Sequence, residues 1–181
     1  MPLQKIMIVR HAEKPIPDVS VGVRASGKSD AASLTTRGWQ RAGALVQFFE
    51  YLAPPRPGVE KPGHLFATRF DKFSIDGSRR SIQTLEPLAK SMGLKISDVH
   101  GKGQEAKLVA TLMKLDGVAL VAWSHENIRF IVEAIEPAGL KAPEWPDDRF
   151  DLVWVFDRTA RGWKFSQSAQ LLLAGDSKEA A

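Results

Sequence analysis

The chain of 181 residues contains no cysteine, so disulfides, thiolate metal sites, iron–sulfur clusters and a cysteine nucleophile are all excluded. It also lacks a long apolar run. The N-terminus offers only residues 6–9, stopped at once by Arg10, His11 and Glu13, too short for a signal-peptide core or a membrane span. A cytoplasmic location is the default expectation. Charge of one sign is scarce as well: 25 Lys and Arg face 21 Asp and Glu, a formal surplus of +4. That mild excess favours anionic ligands in general. With no basic stripe interleaved with aromatics, nucleic acid is not an expected partner, nor is a membrane. No internal repeat and no linker divides the sequence. Its 44% hydrophobic and 25% charged residues are the balance of one ordinary globular domain, taken as residues 1–181.

Residues 3–9 read as a buried strand, an apolar run ended by charge. An irregular stretch, 12–33, holds Pro15, Pro17, Gly22 and Gly27, a loop of a length usually kept for function. Thr35 or Thr36 then caps a helix over 38–51, where Ala42, Leu45, Val46 and Phe49 recur at helical spacing. The breaker cluster 53–58 ends it, and 64–68 is a short strand. Further helices are expected over 79–92, with Gly93 as C-terminal cap, and over 105–115. A strongly apolar strand, 118–123, runs directly into a helix over 127–135. Residues 150–157 and 163–172 form a hairpin, and the tail 175–181 is expected to fray. Alternating strands and helices predict an α/β fold, a three-layer α/β/α sandwich with a mostly parallel central sheet and a C-terminal β-hairpin.

Ligands of open α/β sheets gather at the carboxyl ends of strands, so the residues that follow each strand are the informative ones. Arg10, His11, Ala12, Glu13 and Lys14 follow the first strand, and Ser124, His125, Glu126 and Asn127 follow the strand ending at Trp123. Two of only four histidines thus stand at strand exits beside charged partners. Arg80 sits near a helix start, where backbone N–H groups favour anions. One histidine as nucleophile, another as donor and two arginines would make a phosphoryl-transfer site. His64 and His100 lack such company and read as ordinary residues. Lys14, Arg24 and Lys28 read as solvated loop charges, Arg37 and Arg41 as solvent-facing, and Thr35, Gly38, Gln83 and Thr84 as caps and packing residues.

Arg10-His11-Ala12-Glu13 resembles the Arg-His-Gly-Glu signature of the histidine phosphatase superfamily, the phosphoglycerate mutase-like fold. Leu34-Thr35-Thr36-Arg37-Gly38-Trp39-Gln40-Arg41-Ala42 is similar to that family's helix start. Arg80-Ser81-Ile82-Gln83-Thr84 is similar to its Arg-Ala-x-Gln-Thr motif, and Val121-Ala122-Trp123-Ser124-His125 to the strand that ends in the second catalytic histidine. The resemblance implies a metal-independent phosphatase without cofactor, acting on a small phosphorylated substrate through a phosphohistidine on His11. Arg10, Arg80 and a cationic His125 would hold the phosphoryl oxygens. Glu126, directly after the second histidine, is the first choice for the general acid, and Glu105 the second. A phosphoglycerate mutase-type phosphotransferase and a non-catalytic phospholigand-binding module are the alternatives. Ala12 stands where the family has Gly, which requires a negative φ there. Lys14-Pro15 stands where a longer signature has Thr and Asn. Specificity is expected from loops 12–33, 69–79 and 145–149.

Overall fold

The computed structural model describes residues 2–74, 77–136 and 139–179. Six strands form one sheet in the order β3-β2-β4-β1-β5-β6. They are β1 (Leu3–Arg10), β2 (His64–Ala67), β3 (Ile96–Ser97), β4 (Gly117–Trp123), β5 (Leu152–Thr159) and β6 (Gly162–Ala169). The helices are α1 (Thr36–Glu50), α2 (Arg80–Met92), α3 (Glu105–Leu112) and α4 (His125–Ile135). Strands β3, β2, β4 and β1 are mutually parallel, whereas β5 runs antiparallel to β1 and β6 antiparallel to β5.

Successive side chains of a strand point to opposite faces, and this alternation builds two separate cores. Met7 and Val9 of β1 face Leu45, Phe48 and Phe49 of α1 and Leu85 and Leu88 of α2. Ile6 and Ile8 face Leu108 and Leu112 of α3 and Ile128, Ile131 and Ile135 of α4. The result is the three-layer α/β/α sandwich with a mostly parallel sheet that the sequence predicts. No helix among the described residues is long and apolar enough to cross a membrane.

Local signals account for the element ends. Thr35 accepts a hydrogen bond from Gly38 N–H (3.1 Å) and so caps α1, and Gly93 closes α2 at φ 66°. The structure departs from the sequence reading at two points in particular. Helix α4 starts at His125, two residues earlier than the periodicity suggests, because Ser124 already has the extended backbone of an N-cap. Strand β3, only two residues long, carries no periodicity to read.

The tail is the clearest correction. Instead of fraying, residues up to Glu179 are tied down; Ala180 and Ala181 lie outside the described residues. Ser177 N–H donates to Asp151 Oδ2 (2.8 Å), and Arg149 Nη2 donates to Glu179 O (2.9 Å). Asp176 accepts from Leu172 and Leu173 N–H at 2.8 and 3.0 Å and pairs with Arg41. Arg41 is therefore a buried structural residue and does not face solvent.

Candidate active site

Strands β1 and β4 pair in register, Arg10 opposite Trp123, so their exits lie side by side. His11 N–H donates to Trp123 O (3.0 Å), which fixes the start of the first exit beside the second. The turn after His11 is then secured to α2. Ala12 N–H donates to Thr84 Oγ1 (2.8 Å), and that hydroxyl donates to Arg80 O (2.7 Å). Gln83 holds the end of the long loop, accepting from Leu34 N–H (2.9 Å) and donating to Ser33 Oγ (2.9 Å). Gly38 lets α1 approach the His11 turn, since a Cβ there would stand 2.7 Å from Glu13 O. Ala12 is fully buried and is not among the residues of positive φ, so the turn accepts a side chain in place of glycine.

The structure brings His11, Arg80, His125 and Glu126 around one depression. A smaller pocket of about 130 Å³ is lined by His11, Arg80, Ser124, Lys102, Arg69 and Thr68, among others. An open cleft of about 550 Å³ shares His11, Arg80, Ser124 and Lys102 and adds Lys14, His125 and Glu126. Arg80 opens α2, and His125 and Glu126 form the first turn of α4, so two helix N-termini meet at the depression.

His11 is buried, and its Nδ1 lies 2.8 Å from Ala12 O. A carbonyl only accepts, so Nδ1 carries the hydrogen and the lone pair of neutral His11 is on Nε2. Burial foremost, then the charges of Arg80, Arg10 and His125, push the His11 pKa well below 6.5, although the Ala12 hydrogen bond opposes them. The imidazole is accordingly neutral at neutral pH, the state a nucleophile requires.

Arg10 stands behind this centre. Its Nη1 donates to the carbonyls of Asp147 and Arg149, and its guanidinium carbon lies 3.9 Å from the Phe150 ring centroid. Nε and Nη2 are buried without a partner, as is Nε of Arg80. Burial lowers the Arg10 pKa to about 10, against the opposing effect of Asp147 and Glu126, and lowers that of Arg80 too. Unpaired N–H groups on buried cations are costly to leave without an acceptor. An anion between them would remove that cost.

His125 Nε2 lies 3.1 Å from Asp147 Oδ1, while its Nδ1 is buried and unpartnered. Burial and then Arg10 lower its pKa, which favours the neutral ring. Glu126 is exposed on the rim of the open cleft. Glu105 is placed elsewhere: it is buried and accepts from Trp123 Nε1 and Gly103 N–H, both at 3.1 Å. Arg79 lies over the Phe70 ring at 3.9 Å and pairs with Asp30 at 3.5 Å, so of these two neighbouring arginines it is Arg80 that lines the cavity. His64 and His100 are engaged with Asp116 and Thr111, and neither lines the depression. Among the described residues, no group of three or more His, Asp or Glu is arranged to hold a metal.

Arg69, Lys102 and Asp147 are site residues that sequence reasoning missed as individuals. Loops 69–79 and 145–149 are expected to set specificity, and Arg69 and Asp147 lie in them; Ile75 and Asp76 fall outside the described residues. Lys102 gives no local signal, because only the parallel pairing of β3 beside β2 brings its turn to His11.

No protein-family model matches the sequence, and a search of curated proteins returns no match. Solved structures do match. A phosphoserine phosphatase from Entamoeba histolytica, a histidine-to-alanine mutant in complex with phosphoserine, aligns at TM-score 0.55 with 10% identity, covering 93% of this chain and 97% of that one. Bacillus stearothermophilus YhfR aligns at TM-score 0.55 with 11% identity, over 96% and 97% of the two chains. The ecdysone phosphate phosphatase from Bombix mori, in complex with tungstate, aligns at 0.51 with 12% identity, over 98% and 97%. The likeness extends over nearly the whole length of each chain. The chain has the fold of the histidine phosphatase superfamily, the phosphoglycerate mutase-like fold.

Proposed function

We propose that this protein is a metal-independent phosphatase that hydrolyses a phosphomonoester, or a phosphohistidine, through a phosphohistidine on His11. The observation that carries the reading is the state of His11: a buried, neutral imidazole, its Nδ1–H given to Ala12 O, in a cavity shared with Arg80. The phosphatase fold of the similar structures supports it.

In the first step the His11 Nε2 lone pair forms a bond to phosphorus as the ester P–O bond breaks, and Glu126 delivers the proton to the departing oxygen. Arg10 and Arg80 offset the charge on the phosphoryl oxygens with N–H groups that have no protein partner. Phosphoryl transfer asks chiefly for positioning and for positive charge around three oxygens, and guanidinium forks suit that geometry. An incoming dianion favours protonation of His125, whose second nitrogen can donate to the carboxylate of Asp147. In the second step water gives a proton to Glu126 and attacks phosphorus, the N–P bond breaks, phosphate leaves, and His11 is restored. The width and exposure of the outer cleft favour water as acceptor over a sequestered phosphotransfer to a second substrate.

The test is turnover of p-nitrophenyl phosphate in EDTA by the wild type and by His11→Ala. The leaving group is activated, so the result does not depend on which carboxylate is the acid. Turnover in the wild type alone supports the reading. A folded wild type without turnover removes it in favour of a phospholigand-binding module or a selective mutase.

A further inference from the structure

Of the three groups proposed to hold the phosphoryl oxygens, Arg10 and His125 meet in one short loop, residues 145–149. Asp147 O and Arg149 O accept from Arg10 Nη1, which leaves Nε and Nη2 of Arg10 buried and unpartnered. The Asp147 carboxylate meets His125 Nε2 at 3.1 Å. The loop is itself fastened. Trp145 Nε1 donates to Arg149 O (2.9 Å), and the Arg149 side chain donates to Asp151 Oδ1 (2.6 Å) and Glu179 O (2.9 Å). The Asp147 side chain stands in water, but it rises from a backbone that Arg10 and Trp145 hold in place beside the His125 ring.

A carboxylate only accepts, so in the neutral ring Nε2 carries the hydrogen, and Nδ1, buried and without a partner, carries the lone pair. A lone pair repels a phosphoryl oxygen. For Nδ1 to donate, the ring must take a second proton against burial and against the positive charges that face it: Arg10 from β1 and Lys14 from the 12–33 loop, with the His11 ring also coupled to it. Arg80 and Lys102 line the same cleft. Two carboxylates face His125 in return, Glu126 on its own helix and Asp147. In the proposed first step Glu126 still carries the proton it delivers and is uncharged. Of these two, only Asp147 is then negative.

We infer that Asp147 is a positioning residue of the phosphoryl site: its carboxylate fixes one proton on His125 Nε2 and balances the cation that forms when a dianion enters and Nδ1 takes a second proton from solvent. The inference rests on the function proposed above, in that the ligand is a phosphoryl dianion. Asp147 makes no contact with the substrate and acts through the histidine.

Ring nitrogen–proton NMR spectra of the histidine-labelled protein, recorded against pH, test it without turnover; the His125 signals are those missing from His125→Gln. The titrations are run at fixed ionic strength in the free protein and with sulfate, a dianion of the same tetrahedral shape at every pH used. Sulfate raises the His125 midpoint. Asp147→Asn lowers that midpoint by about half a pH unit in both states, the worth of an ion pair whose acid stands in water. Asp147→Glu, which keeps the charge, does not. An unchanged midpoint in Asp147→Asn overturns the inference, as does an equal drop in Asp147→Glu, the mark of a disturbed loop and not of a lost charge. A midpoint that sulfate does not move contradicts the phosphoryl site, while the free-protein comparison still decides for or against Asp147. Turnover of p-nitrophenyl phosphate, which needs no acid from Glu126, is read separately, and its alkaline limb moves to lower pH in Asp147→Asn by the same amount. Turnover whose limb stays in place contradicts the role of Asp147; a shifted midpoint without turnover supports that role and contradicts hydrolysis.

Discussion

Arg41, on α1, and Arg10, at the end of β1, are 2% and 1% exposed, and their surroundings are opposite. The guanidinium of Arg41 makes five hydrogen bonds of 2.7–3.1 Å, to Glu13, Asp176 and Gln170. Its pKa is raised, because the hydrogen bonds and charges of Asp176 and Glu13 outweigh burial. Arg10 has only backbone carbonyls on one nitrogen, two nitrogens without partner, and a pKa lowered to about 10 by burial. The same residue type at the same depth is matched in one place and left unmatched in the other. A sealed network holds the fold together, whereas an unmatched cation reserves its donors for a ligand at a cost in stability.

The comparison predicts a crossed result for two substitutions. Arg41→Met leaves the carboxylates of Glu13 and Asp176 with only the longer ion pairs of Arg37, at 3.4 and 3.9 Å, and lowers stability by about 3 kcal/mol in urea unfolding, the lower end of the cost of breaking a buried pair. Arg10→Gln lowers p-nitrophenyl phosphate turnover by about 10²–10³-fold, as loss of one charge-stabilising donor does. Its urea midpoint does not fall. Should Arg10→Gln unfold the protein and leave activity of the folded fraction intact, the distinction between the two arginines is lost.

Glu126→Gln sharpens the reading on the other side of the cleft. It slows hydrolysis of an alkyl phosphate by about 10²-fold, at the lower end of general acid catalysis, and changes p-nitrophenyl phosphate turnover far less. An equal loss on both substrates would show that Glu126 does not supply the proton.

The smallest expected effect is in acid. Asp176, in the sealed network, has a pKa lowered by Arg41 and the Leu173 and Leu172 N–H groups against the opposing effect of burial. A carboxyl held lower in the folded state contributes stability above its unfolded value of 3.8 that is lost as the pH falls below it. His11 and His125 have pKa values lowered from 6.5. Below that value the unfolded chain binds protons that the folded site refuses, so stability already declines as the pH falls from 6.5. Replacing His11 by Ala flattens the upper window of a stability–pH curve, and replacing Arg41 by Met flattens the lower one.

How far the sequence reveals all this depends on the range of the interaction. His11, Arg80, His125 and Glu126 stand at the ends of strands or starts of helices whose apolar periodicity is local, so their convergence is readable from order and spacing. Thr35 and Gly93 are readable for the same reason. Arg41 reads as solvent-facing because its partner Asp176 is 135 residues away, in a tail whose composition resembles a frayed end. Asp147 lies 22 residues from His125 in a segment without periodicity, and Lys102 is delivered by a two-residue strand. The lowered pKa of His125 follows from burial, which no motif encodes.

The most direct test of the account is to trap the intermediate. The wild type is mixed with p-nitrophenyl phosphate in EDTA and quenched within a turnover in alkali, which preserves a phosphorus–nitrogen bond, and its peptides are analysed by mass spectrometry. The account predicts one phosphoryl group on the peptide that contains His11, at the histidine. Turnover with that peptide unmodified, or with the phosphoryl group on any other residue, contradicts it.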